Sequence, residues 1–238
     1  TATSASCVTG LIVRDTGTYF SAFGQAVILT LIQLGGLGFM TTTTILFALT
    51  GRRISLHDRM AMAEGLGESR LQGIVRLCRG VLMVTGICEL AGIVLLCLRF
   101  IPQFGLDRGL WVSVFTSISA FCNAGFDLMG NYTSLTNYAN DPYVLLVVAM
   151  LIIIGGLGFG VVLSLSRNRR FSKLKLHGKL VIIGTAFLLL TGTLSILILE
   201  YGNPATLGGM PFFQKLYNAF FQSVTLRTAG FNSLISYP

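Results

Sequence analysis

TSISAFCNAGF, residues Thr116–Phe126, decides the fold, because related stretches stand at two other places in the chain. The first runs TATSASCVTGL from Thr1 and the last runs FQSVTLRTAGF from Phe221. Aligned on Gly10, Gly125 and Gly230, the first two copies match Thr1 with Thr116, Ser4 with Ser119, Ala5 with Ala120 and Cys7 with Cys122. Each copy interrupts a chain that is otherwise very apolar. A repeated interruption implies equivalent backbone loops facing one shared axis, which is how a pore is assembled.

The surroundings of the motif point to lipid. Of 238 residues, 53% are hydrophobic and 11% charged, and the mean hydropathy is +0.76. Soluble domains carry about 25% charged residues. Four apolar stretches, Ala26–Leu49, Val81–Phe100, Tyr143–Leu165 and Leu180–Leu199, approach or exceed the roughly 20 residues that cross a hydrocarbon core. Leu110–Ala120 and Phe212–Val224 are too short to span and suit re-entrant helices shielded by protein or lining water.

The net charge of +8 is a topology signal rather than a nucleic-acid footprint. Arg52, Arg53, Arg59, Arg70, Arg76 and Arg79 lie between the first two spans, and Arg167, Arg169, Arg170, Lys173, Lys175 and Lys179 between the last two. Basic loops stay cytoplasmic, so Gly51–Gly80 and Ser166–Lys179 are expected inside and the motif loops outside a plasma (inner) membrane. Cys7, Cys78, Cys88, Cys97 and Cys122 form no CxxC pair, and neither zinc nor a disulfide framework is expected. The chain opens inside a motif without an initiator Met, so its natural N-terminus is expected further upstream.

The order of segments predicts an all-α membrane protein built from helix, pore helix, filter loop and helix. About two full units are spread over the three copies. The divisions are 1–50 for the first repeat, 81–165 for the second and 180–238 for the third, with cytoplasmic connectors at 51–80 and 166–179. A second repeat supports this unit: Gly35-Gly36-Leu37-Gly38-Phe39 returns as Gly155-Gly156-Leu157-Gly158-Phe159. Close helix packing through small residues accounts for both, and so does a bend beside a permeation path.

The motif suits a monovalent cation. A dehydrated ion needs several oxygens at once, and rings of backbone carbonyls supply them without formal charge. Glycine at the turning point reaches conformations closed to other residues. The carboxyl end of the preceding short helix favours a cation at the same place. No motif holds a carboxylate, which disfavours a calcium site. Asp15 and Asp127 follow the glycines and read either as cation attractors at the mouth or as hydrogen-bonded loop acids.

Arg227 is the one charge inside a motif. It either braces the filter from behind or repels cations to speed their release. Glu89, inside the second span, reads as a gating or coupling acid or as the partner of a neighbouring hydroxyl or base. Thr41–Thr44, Gln25 and Gln33 either line water or bond back to protein. His57 and His177 fall in basic connectors without metal-ligand spacing.

These residues together resemble a known family. SASCVTGL, DTGTYFS and LIQLGGLGFMT, followed by SISAFCNAGFD and SVTLRTAGFNS, resemble the Trk/Ktr/HKT superfamily of potassium transporters, most closely its Ktr-type membrane subunits. The resemblance covers nearly the whole chain, and the arginine of the third motif belongs to it. It implies four such repeats around a pseudo-fourfold pore, truncated here at both ends, so that this polypeptide alone is not expected to conduct. It implies potassium bound by the filter positions Val8, Thr9 and Gly10; Asn123, Ala124 and Gly125; Thr228, Ala229 and Gly230, with Arg227 as filter support. It further implies a gating loop in the third outgoing helix, a homodimer, and a cytoplasmic ring of nucleotide-sensing regulatory subunits. No cofactor is expected beyond the transported ion, potassium or sodium.

The expected activity is therefore potassium uptake, with a sodium-conducting or sodium/potassium-symporting protein of the same superfamily as the alternative. An intramembrane enzyme lacks a nucleophile–base spacing. A structural membrane protein would explain the GGLGF segments but not three aligned interruptions.

Overall fold

The computed structural model describes residues 1–38, 74–168, 171, 174, 176–227 and 229–234. The Thr41–Thr44 run, His57 and Thr228 of the third motif lie outside the described residues, as do Gly51–Gly73 of the first basic connector. All regular structure among the described residues is helical.

The first motif opens with α1 (Ala2–Ser6), and α2 (Thr16–Tyr19) and α3 (Ala22–Leu37) follow. Asp15 caps α2 by accepting from the Thr18 amide at 3.0 Å, and the Ser21 hydroxyl caps α3. The second unit consists of α4 (Ile74–Phe104), α5 (Leu106–Phe121) and α6 (Pro142–Gly156). Pro142 at the start of α6 needs no hydrogen-bond acceptor, and Asp141 takes the next amides, Tyr143 at 3.1 Å and Val144 at 3.5 Å. Next come α7 (Phe159–Asn168), α8 (Leu176–Glu200) and α9 (Phe212–Thr225).

Length separates the helices into two kinds. Arg79–Phe104 of α4 and Leu176–Glu200 of α8 are long and apolar enough to cross a membrane. At 1.5 Å per residue, α5 and α9 reach only about 24 and 21 Å, short of the roughly 30 Å hydrocarbon core. The long helices turn apolar stripes outward at helical spacing: Met83, Ile87, Leu90, Val94 and Leu98 on α4, and Leu180, Ile183, Phe187, Leu190, Leu194 and Ile198 on α8. Continuous stripes of this kind are stable where lipid is the solvent. The protein is a multi-pass membrane protein.

The short helices sit inside. α5 packs between α4 and α6, and α9 packs against α8 and α6. Phe100, Phe115, Phe126, Phe221, Phe231 and Leu135 are almost wholly buried, so aromatic bulk fills the space around the loop that follows each short helix.

The third apolar stretch, expected to span over Tyr143–Leu165, is not one continuous helix. It breaks at Gly155–Gly158, and α6 and α7 meet at a 102° bend. Gly158 adopts φ +84°, which ends one helix and aims the next elsewhere. α3 ends in the same way, at Gly38 with φ +78°.

Candidate functional site: a convergence of three loops

The first two motifs leave their helices by the same route, and the third returns to its helix one residue sooner. Val8 and Asn123 adopt left-handed φ values of 55° and 57°, and Gly10, Gly125 and Gly230 follow at 76°, 71° and 75°. Amides of the loops turn back onto the helix ends: Thr9 to Ser4 O at 2.9 Å, Ala124 to Ser119 O at 2.8 Å, and Ala229 to Thr225 O at 2.9 Å. Among the described residues, the carbonyls of Val8, Thr9, Gly10, Asn123, Ala124, Gly125, Ala229 and Gly230 accept no hydrogen bond from the protein. Ala124 and Ala229 are buried, and buried carbonyls are almost always paired within a protein. These eight carbonyls are left for a partner outside the described protein.

The three loops lie against one another. A methyl group built on Gly10 would stand 2.8 Å from the Ala124 carbonyl oxygen and 3.6 Å from Gly125 Cα. One built on Gly125 would stand 2.6 Å from the Ala229 oxygen and 3.0 Å from Gly230 Cα. Gly125 therefore lies between the other two. The loops are narrow because no side chain fits there, which explains glycine at this place independently of its dihedral freedom. The carboxyl ends of α5 and α9 supply negative potential at the same point.

The GGLGF segments form the wall behind the loops. A side chain on Gly35 would collide with the Ser6 carbonyl, and one on Gly155 with the Phe121 carbonyl. Each outgoing helix thus rests on the end of the short helix of its own motif. The next glycine faces the following motif: Gly36 meets Cys122, and Gly156 lies near Arg227. The Asn123 amide also faces α6, with Ile152 O at 3.2 Å as acceptor and the Gly156 amide at 3.3 Å as donor. Both readings of these segments hold at once: they pack closely and they break their helices.

Further contacts repeat between the second and third units. Ser117 Oγ donates to the carbonyl of Glu89 on α4 at 2.8 Å, and Ser223 Oγ donates to that of Leu189 on α8 at 3.1 Å. Gly92 and Gly192, each three residues later, admit these serines. Ser119 Oγ holds the Phe126 carbonyl at 2.6 Å, and Thr225 Oγ1 holds that of Phe231 at 2.6 Å. Ser117 and Ser119 thus correspond to Ser223 and Thr225. Alignment on the glycines instead pairs them with Gln222 and Val224, because the third loop is one residue shorter between helix and glycine.

Arg227 Nη2 lies 3.4 Å from Thr185 Oγ1 on α8 and near Gly156 of α6. Glu89 accepts from Gln33 Nε2 at 3.0 and 3.3 Å, tying α4 to α3. Gln25 is used fully by the protein, donating to Thr16 O and Phe20 O and accepting from Trp111 Nε1 at 2.8 Å.

Loops on the glycine side lace the units together, a role for which only the acids gave a sequence signal. Asp15 accepts from Thr18 and from the amides of Asn131 at 3.1 Å and Tyr132 at 3.4 Å. It is a bonded loop acid. Asp127 accepts from the Met129 amide at 3.0 Å, and burial, with a smaller contribution from Asp15, pushes its carboxyl up to about 6. The Leu135 amide donates to Asn232 O at 2.9 Å, and the Ala139 carbonyl accepts from Asn218 at 2.8 Å and Tyr217 at 3.1 Å.

Comparison with known proteins identifies the family. The TrkH family, described as cation transport protein, matches residues 1–235. The Ktr system potassium uptake protein B of Bacillus subtilis (strain 168) is 46% identical over 234 residues, covering 98% of this chain and 52% of the relative. The potassium/sodium uptake protein NtpJ of Enterococcus hirae is 42% identical over 234 residues, with 98% and 51% covered. The Ktr system potassium uptake protein B of Vibrio alginolyticus is 42% identical over 236 residues, with 98% and 51% covered. The chain spans about half the length of the curated relatives it matches. With three glycine loops in contact and a family match along almost its whole length, the chain belongs to the TrkH family of cation transport proteins.

Proposed function

We propose that this chain forms most of the selectivity filter of a potassium uptake protein in the plasma membrane. The supporting observation is the contact of Gly10, Gly125 and Gly230 through backbones whose carbonyls take no protein donor among the described residues. Potassium sheds its water onto the carbonyls of Val8, Thr9 and Gly10; Asn123, Ala124 and Gly125; and Thr228, Ala229 and Gly230. Carbonyl dipoles hold it weakly enough to leave, since none of these residues carries a charge.

In this reading residues 1–50, 81–165 and 180–238 are three repeats around a pseudo-fourfold axis, and the whole protein supplies the fourth. The basic connectors 51–80 and 166–179 face the cytoplasm and the filter loops face outward. Arg227 braces the filter from behind, a role supported by its bond to Thr185 on α8 and its place beside Gly156 of α6. The relatives named for a Ktr system support a membrane subunit that works with other components, here a second copy and a nucleotide-sensing ring. The name of the Enterococcus hirae relative supports a second reading, in which sodium is carried as well.

Complementation tests the proposal. The full-length gene is expected to restore growth of a potassium-uptake-deficient cell at limiting potassium, and Gly125→Ser is expected to restore it only with reduced preference for potassium over sodium. Failure to restore growth, or unaltered selectivity in Gly125→Ser, contradicts it.

A further inference from the structure

The second unit carries a groove on its outer side, away from the glycine loops. It follows the seam between α4 and α6. Ile87, Ala91 and Leu95 line one bank, and Leu146, Met150 and Ile154 the other, around about 390 Å³ of almost wholly apolar space. One helical turn beyond Leu95 and Leu146, Leu98 and Tyr143 belong instead to a polar cleft of about 680 Å³. Arg99, Gln103, Asn140 and Asp141 also line that cleft. Tyr143 marks the junction, its hydroxyl donating to the Leu95 carbonyl at 2.8 Å.

Dimensions and charge select the occupant. From Ile87 to Leu98 the α4 bank rises about 16 Å, close to the roughly 15 Å of one leaflet's hydrocarbon. At the polar end Arg99 Nε meets Asp141 Oδ2 at 2.5 Å, and half of the Arg99 side chain is exposed. Among the described residues the remaining guanidinium nitrogens bond to nothing else. They offer donors for a phosphate, whereas Asp141 Oδ2 beside Arg99, Gln103 Oε1, which accepts from the Tyr138 hydroxyl, and Asn140 Oδ1, which accepts from Gln214, each keep a second lone pair as acceptor. The ion pair sums to zero charge, so it complements a zwitterion better than a net anion. A primary ammonium donates to those acceptors and a quaternary one cannot.

We propose that this seam is a binding site for one phosphatidylethanolamine of the leaflet on the glycine-loop side. Its phosphate rests on Arg99, its ammonium near Asp141, and one acyl chain in the groove between α4 and α6. The site is separate from the ion path, so lipid retention and ion flux are read independently.

Native mass spectrometry of the full-length protein, equilibrated with equimolar phosphatidylethanolamine, phosphatidylglycerol and phosphatidylcholine, tests this. The wild type is expected to retain phosphatidylethanolamine at least about fivefold over the others, the scale of one net hydrogen bond. Arg99→Gln removes the preference. Ala91→Trp, on an exposed position, fills the groove and removes the retained lipid, with Tm and ion flux unchanged in both variants. Equal retention of the three lipids, unaltered by either substitution, overturns the proposal. So does displacement by soluble glycerophosphoethanolamine, which would show that the acyl chain contributes nothing. A change of oligomeric state in Ala91→Trp without loss of lipid assigns the groove to a second copy and overturns it as well.

Discussion

Ser119 and Thr225 make the same bond in successive units: each hydroxyl donates at 2.6 Å to the carbonyl of the residue after its loop's glycine, Phe126 or Phe231. Ser119 Oγ also accepts from the Phe126 amide at 3.0 Å. One buried oxygen thus closes a ring around Asn123, Ala124 and Gly125 and fixes where their carbonyls point. Removing it leaves two buried backbone groups without partners, at about 1–3 kcal/mol. Ser119→Ala in the full-length protein is expected to lower Tm and to reduce discrimination between potassium and sodium. Ser119→Thr, which keeps the hydroxyl, is expected to retain more selectivity than Ser119→Ala. Equal selectivity in wild type and Ser119→Ala, measured by rubidium and sodium flux, would contradict this role.

Gly155 makes the tightest helix contact. A side chain there meets the Phe121 backbone, with its carbonyl carbon 2.9 Å away, and backbone at the end of α5 cannot swing aside. Gly155→Ala is expected to cost about 3 kcal/mol, at the upper end of overpacking in a filled core. Gly184, on α8, faces open space, and Gly184→Ala serves as the neutral control. Thermal unfolding in detergent compares the two, and similar Tm values would show that α6 does not rest on α5 as described.

The Gln33–Glu89 pair joins α3 to α4. Gln33→Leu removes the donor and leaves a carboxyl with no replacement partner on α3, for about 1–3 kcal/mol. Glu89→Gln keeps a side-chain oxygen to accept from Gln33. Thermal unfolding is expected to rank the variants wild type, Glu89→Gln, then Gln33→Leu. Loss of transport in Glu89→Gln with stability intact would instead assign Glu89 to gating.

Asp127 sets a pH dependence. Its carboxyl is raised from the ordinary 3.8 to about 6, because burial disfavours the charged form. The folded state therefore holds its proton more tightly than the unfolded one, and this contribution to stability declines as pH rises between the two values. Ionisation near pH 6 places a negative charge just beyond Gly125. Apparent affinity for potassium is expected to improve between pH 5 and 7, and Asp127→Asn is expected to flatten that change. A wild-type profile that is flat across this range would contradict the assignment.

Much of this structure is legible in the sequence because lipid and backbone geometry impose simple patterns. The apolar runs over Val81–Phe100 and Leu180–Leu199 are long helices, and Leu110–Ala120 and Phe212–Val224 are short ones, with ends differing by a few residues. The glycine of each motif was readable because left-handed φ and backbone contact both exclude a side chain. The glycines at Gly155–Gly158 signalled a bend as one of two readings, but its size was hidden, since Tyr143–Leu165 is apolar throughout and hydropathy does not register a change of direction. The hydroxyl ring at Ser119 and Thr225 was hidden for another reason. A loop shorter by one residue moves the partner out of alignment while its contact stays in place. The lacing through Asp15, Asn131, Ala139 and Asn232 runs mostly through main-chain groups, which carry no residue signature.

Anomalous diffraction from thallium-soaked crystals of the full-length protein tests the filter most directly. The account predicts a peak within about 3 Å of several carbonyls from Thr9 and Gly10, Ala124 and Gly125, and Ala229 and Gly230, a distance set by direct replacement of hydration oxygens. A strongest peak on the carboxylates of Asp15 or Asp127, with none at the three glycine loops, would contradict it.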